Sequence, residues 1–143
     1  MINETKITIA LVVADFNKEI TSIMLDVAKN RAEECGVTIA HVVHVPGVYD
    51  MPLAVKRLLQ KPDVHGVVTL GVVISGGTAH DSHVADNTAR LCADLSVAFE
   101  KPIALSVIGH HVSMQQAIER KESYAIHGVD AVVSLIKELR GLK

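Results

Sequence analysis

Four short runs of apolar, mostly β-branched residues recur along this chain, and their spacing restricts the fold more than any other feature. They cover residues 7–14, 38–45, 66–74 and 102–109. They are rich in β-branched residues and largely apolar, whereas a strand with one wet face would alternate apolar and polar positions. Strands apolar on both sides need cover on both sides, which predicts a parallel sheet between two layers of helices.

The intervening segments carry helical spacing. Ile20, Met24, Val27 and Ala28 share one face of the first, as an amphipathic helix requires. Asp50 ahead of Pro52 reads as a cap with proline in the opening turn, leading into Leu53-Ala-Val and Leu58-Leu59. Val84, Thr88, Leu91, Cys92, Leu95 and Phe99 form a stripe in the third. Residues 114–120 read as a short fourth helix, and Val129, Val132, Val133 and Ile136 mark a closing one. The order βαβαβαβαα predicts an α/β fold: an open four-stranded parallel sheet in three layers, with helices on both faces and right-handed crossovers. A length of 143 residues suits a single domain over 1–143.

Composition narrows the class. Apolar residues make up 49% and aromatics only 3%, so the core is aliphatic. The net charge of −2, with no Lys/Arg block, argues against a nucleic-acid surface. No apolar run is long enough to span a bilayer, and the first residues lack the pattern of a signal peptide. Cys35 and Cys92 are isolated, with no CxxC or disulfide framework. A cytoplasmic protein without a membrane partner is expected.

In open parallel sheets ligands bind where strands run into helices, which directs attention to residues 15–17, 45–50, 71–80 and 107–111. Gly76-Gly77-Thr78-Ala79-His80 follows the third strand and opens a helix. Two glycines allow close backbone approach, and free N–H groups in a first helical turn suit an anion. Thr78 could equally be a plain cap, with Asp81 completing a capping box. His80 at that helix start could move protons near neutral pH, or be one exposed histidine among eight. His80-x-x-His83 has no Cys or acidic partners at metal-site spacing, so no metal is expected. Phe16 just past a strand could stack on a flat heterocycle or staple onto the first helix. Asp50 could grip sugar hydroxyls or merely cap, and Arg120 could fork onto phosphate or stand solvated at the surface.

Three segments taken together resemble one family. They are Val45-Pro-Gly-Val-Tyr-Asp-Met-Pro52, Leu70-Gly-Val-Val-Ile-Ser-Gly-Gly-Thr-Ala-His80 and Gln115-Gln-Ala-Ile-Glu-Arg120, with Ala14-Asp-Phe-Asn17 ahead of them. In order and approximate spacing they resemble the signatures of the 6,7-dimethyl-8-ribityllumazine synthases, nearest the archaeal branch. The resemblance implies a flavodoxin-like fold and a condensation of 5-amino-6-(D-ribitylamino)uracil with 3,4-dihydroxy-2-butanone 4-phosphate, in riboflavin biosynthesis and with no cofactor. By position it implies that Phe16 stacks on the pyrimidine, and that Val48, Tyr49 and Asp50 line the ribityl pocket. Val72, Val73 and Ile74 would hold the pyrimidine through main-chain groups, and Leu105 would fill an apolar pocket position. Gly77, Thr78 and Arg120 would bind phosphate, and His80 would transfer protons. Such enzymes form pentamers, some built into shells of twelve pentamers, with sites between subunits. Ser75 stands where bacterial members commonly carry arginine, and residues 121–128 lack their glycine- and lysine-rich pattern. An archaeal-type riboflavin synthase and a non-catalytic flavin-binding module are the rival readings. The first has different loops in place of Gly76–His80, and the second needs no proton-transfer residue.

Overall fold

The computed structural model describes residues 6–76 and 80–142. Among them four strands form one parallel sheet: β1 (Thr8–Ala14), β2 (Thr38–Val45), β3 (Gly66–Val72) and β4 (Ile103–Ile108), in the order β2-β1-β3-β4. Helices α1 (Lys18–Glu34), α2 (Met51–Leu59), α3 (His80–Phe99) and α4 (Met114–Arg140) flank it.

Alternate residues of each strand point to opposite faces, and in β1 both faces are buried. Ile9, Leu11 and Val13 join Met24 and Ala28 of α1 and Val129 and Val132 of α4 in one core. Ala10, Val12 and Ala14 pack on the other side against Met51, Val55 and Leu58 of α2 and Cys92 of α3. Helices α1 and α4 therefore cover one face and α2 and α3 the other. This is the three-layer, flavodoxin-like arrangement, and it explains why the strand runs carry almost no polar positions.

The details depart from the sequence reading in four places. Regular pairing in β3 stops at Val72, two residues early. The chain stays extended beyond it, with the Val73 N–H donating to Ile108 O at 2.7 Å and the Ser75 N–H to Val112 O at 2.9 Å. Strand β2 is an edge strand, and Thr38, Ala40 and His44 are exposed. The stripe on α3 is only partly covered: Thr88 and Cys92 are buried, Val84, Leu95 and Phe99 half-buried, and Leu91 exposed.

The fourth departure is α4, one continuous helix of 27 residues where two were expected. Ser113 starts it with a capping box: Gln116 N–H donates to Ser113 Oγ at 3.2 Å, and Ser113 N–H donates to Gln116 Oε1 at 2.9 Å. No proline interrupts the later turns. Gly128, which costs a helix interior about 1 kcal/mol, is accommodated because its bare α-carbon faces Ser106 and Val68. Arg31 of α1 clamps Asp130 of α4 with both ends of its fork, at 2.7 and 3.2 Å.

Candidate active site

From β1 the chain crosses to β2 on one side, whereas β3 leads to β4 on the other. The loops after β1 and β3 thus diverge, and a crevice opens at the carboxyl ends of the strands. A cavity of about 510 Å³ lies there, within the range usual for small-molecule sites. Phe16 and Asn17 contribute from β1, Gly47, Val48 and Tyr49 from β2, and Val72, Val73, Ile74, Ser75 and Gly76 from β3. His80, Asp81 and Val84 of α3 and Met114 of α4 close it.

Each wall has a local cause. Past β1, the Asp15 N–H donates to Val45 O at 2.8 Å and the Phe16 N–H to Pro46 O at 3.0 Å, prolonging the pairing with the β2 side beyond the strands. Asn17 then takes a left-handed conformation (φ 64°) and turns the chain into α1, a geometry that asparagine tolerates better than most residues. The Phe16 ring is left 70% exposed beside the cavity, so it is not a staple on α1.

Past β2, residues Val48–Asp50 form a single 3-10 turn. Asp50 Oδ2 accepts the Gly47 N–H at 3.0 Å, closing that turn. The start of α2 receives no side-chain cap. Asp50 thus holds the N-cap position of α2 with proline in the first turn, as expected, but its side chain does not cap the helix: the carboxylate serves the turn before it. Asp50 does not line the cavity, whereas Val48 (buried) and Tyr49 (64% exposed) do. Thr88 Oγ donates to Val48 O at 3.2 Å and ties the turn to α3. Gly71 lets the turn sit close to β3, since a Cβ there would come within 2.8 Å of Val48 Cγ2 and 3.0 Å of Met51 Cε.

Past β3, Val72 and Val73 are buried and Ile74 half-buried. The Gly76 N–H donates to Asp81 Oδ2, so the Asp81 carboxylate reaches back to the loop before α3. Gly77 and Thr78, the expected phosphate-binding residues, lie outside the described residues, as does the Thr78 half of the expected capping box. His80 opens α3, exposed and on the cavity wall.

Leu105 and Arg120 are placed elsewhere. Leu105, 40% exposed, lines a second cavity of about 540 Å³ between the outer edge of β4 and α4, with Tyr124 and His127. Arg120 stands exposed on α4, two helical turns before His127 and so on the same face. Within one chain neither residue lines the strand-end cavity, nor does the segment 107–111. The strand-end cavity is the better candidate despite the similar volumes, because loops from three strands and a helix start converge on it.

Sequence reasoning missed Asp81, Val84 and Met114 as wall residues, and reached Asn17 only as part of the 15–17 segment. The Ser113-x-x-Gln116 box was a legible signal that a helix would begin at Met114. Asn17 is notable because its side-chain Nδ2 is buried without a hydrogen-bond partner. Among the described residues no group of three or more His, Cys, Asp or Glu is placed to hold a metal. None of the described helices is long and apolar enough to cross a membrane. Cys92, its thiol pushed up to about 11 by burial, is a core residue rather than a nucleophile.

Comparison with known proteins identifies the family. Residues 6–143 match the family model described as 6,7-dimethyl-8-ribityllumazine synthase. Relatives of that name include one from Sulfolobus acidocaldarius, 50% identical across all of this chain and 90% of its own length. One from Saccharolobus solfataricus is 47% identical over 97% of this chain and 90% of its own. Another from Pyrobaculum neutrophilum is 47% identical over 96% and 91% respectively.

Proposed function

The chain belongs to the 6,7-dimethyl-8-ribityllumazine synthase family, and from that premise we propose how its residues carry out the family's condensation. The substrates are 5-amino-6-(D-ribitylamino)uracil and 3,4-dihydroxy-2-butanone 4-phosphate, and the product is the lumazine precursor of riboflavin. One observation supports the site assignment above others: Phe16, Val48, Tyr49, Val72, Val73, Ile74 and His80, drawn from four segments, line a single cavity.

In this reading the pyrimidine lies against the Phe16 ring, with main-chain groups of Val72, Val73 and Ile74 along its edge. Val48 and Tyr49 flank the ribityl chain, and Asp50 turns from Gly47 N–H toward its hydroxyls. Gly77, Thr78 and Arg120 take the phosphate. The amine of the pyrimidine attacks the ketone, and loss of water gives an imine. Loss of the proton beside the imine expels phosphate and leaves an enol, which tautomerises to a new ketone, and the ribitylamino nitrogen closes the ring on that carbonyl with loss of a second water. His80, beside both substrates, transfers the protons that these steps require. Holding two reactive molecules in register supplies much of the acceleration, so a small set of side chains suffices.

Leu105 and Arg120 do not line the cavity of their own chain, which favours a homo-oligomer in which the β4–α4 face of one copy completes the cavity of the next. A pentamer, alone or as the unit of a larger shell, is the assembly we propose. The free thiols of Cys35 and Cys92 accord with a cytoplasmic setting.

The test is direct. Purified protein mixed with both substrates should form lumazine, followed by absorbance or fluorescence, and a rate no higher than the uncatalysed background overturns the proposal. Light scattering on the same sample sizes the assembly.

A further inference from the structure

The Phe16 ring is only lightly packed among the described residues, since 70% of the residue is exposed. Its position depends on its backbone. Two main-chain bonds, from the N–H groups of Asp15 and Phe16 to the carbonyls of Val45 and Pro46, hold that backbone to the chain leaving β2. A side-chain bond spans the same junction. The Asp15 carboxylate, one residue before Phe16, lies 3.0 Å from Nδ1 of His44, one residue before the end of β2. Register explains why they meet: Val13 is paired with His44, and Asp15, two residues on, projects from the same face as Val13, so its carboxylate reaches back to the His44 ring. Neither Asp15 nor His44 lines the strand-end cavity.

We propose that Asp15 and His44 form a positioning pair that fixes the Phe16 platform and thereby sets the affinity for the pyrimidine substrate. The inference rests on the reading of Phe16 as the stacking residue. Without the side-chain bond the loop samples more conformations, and apparent affinity falls with the fraction that remains competent. The effect is selective because the phosphate-binding residues assigned above belong to the segment after β3 and to α4. It is also bounded. Both side chains are about half exposed, 50% and 47%, and exposed pairs contribute little, so a change of about two- to fivefold in KM is the expected size.

The experiment measures both KM values and kcat on the full chain for His44→Ala, Asp15→Ala, the double variant, His44→Gln and Phe16→Ala. His44→Ala and Asp15→Ala should each raise KM for 5-amino-6-(D-ribitylamino)uracil by about two- to fivefold, leaving kcat and KM for the butanone phosphate nearly unchanged. The double variant should be no worse than either single one, and His44→Gln, which keeps a donor for the carboxylate, should recover the wild-type KM. An unchanged pyrimidine KM, an additive double variant, or an equal rise in both KM values overturns the pair. Should His44→Ala lower the melting temperature, the comparison is made between His44→Gln and Asp15→Ala. Phe16→Ala separates the two levels. If it raises the pyrimidine KM while the pair variants do not, the pair alone fails. If it leaves that KM unchanged, the stacking reading fails and the pair with it.

Discussion

Ser106 of β4 reaches the backbone of α4 through the gap left by Gly128. Its hydroxyl donates to Tyr124 O at 2.8 Å, and a Cβ at position 128 would overlap that same hydroxyl oxygen. Tyr124 O is the carbonyl four residues before Gly128, so the strand hydroxyl and the helix ladder share one acceptor. Gly128→Ala should therefore destabilise the protein. Overpacking costs about 1–3 kcal/mol, against a helix-propensity gain of about 1 kcal/mol. Adding Ser106→Ala removes the clashing oxygen, so the double variant should lose less than the sum of the two single ones. Urea unfolding midpoints measure all three.

His80 opens α3 on the cavity wall, and the proposed mechanism assigns it the proton transfers. A positioned proton-transfer group contributes about 10²–10⁴-fold in general, and both substrates here are reactive on their own. His80→Ala should lower kcat toward the small end of that range, about 100-fold or less, with lumazine still formed above background. Wild-type kcat in His80→Ala would remove the histidine from the mechanism.

Arg120 is exposed on α4 and does not line the cavity of its own chain. If it binds the phosphate of a substrate held by a neighbouring copy, Arg120→Ala should raise KM for the butanone phosphate by about tenfold or more, the scale of a lost charge-assisted bond. KM for the pyrimidine should stay near wild type. An unaltered butanone phosphate KM would remove this role.

At the opposite end of the sheet His65 links pH to stability. Its Nδ1 accepts the Thr8 N–H at 3.0 Å, which only an unprotonated nitrogen can do. Burial first, then the cations of Arg140 and Lys101, hold its pKa below the ordinary histidine value. Unfolded, the same ring takes a proton near about pH 6.5. Between the two values the unfolded chain holds the extra proton, so stability falls as pH falls through that window and is fully present above it. Melting temperatures should decline as pH falls from about 7.5 through the ordinary histidine value. The decline should be shallower in His65→Gln, whose side-chain oxygen can still accept from Thr8.

The sheet was legible because burial on both faces leaves a pattern that tolerates almost no polar residue. All four strands fall within two residues of the expected runs. The continuity of α4 was not legible. A glycine between two helical patterns looks like a boundary, and only the placement of Ser106 and Val68 shows why it is not one. Phe16 could be assigned to a strand end from sequence, but stapling and stacking predict the same residue type, and exposure alone separates them. Asp50 shows the reverse: a capping residue was recognisable, yet the amide it serves belongs to a turn that periodicity does not reveal. Leu105 and Arg120 were carried by motif alone, and no pattern within the chain says that they stand apart from the other site residues.

The two aromatic side chains at the cavity, Phe16 and Tyr49, are 70% and 64% exposed. A flat heterocycle laid against Phe16, with its ribityl chain along Tyr49, would take much of that ring surface out of water. Burying apolar surface on binding carries a negative heat-capacity change. Calorimetric titration with the pyrimidine at several temperatures should therefore show a binding enthalpy that becomes more favourable on warming, and Phe16→Ala should flatten that slope. Rings left in water make the site's hold on its substrate a function of temperature.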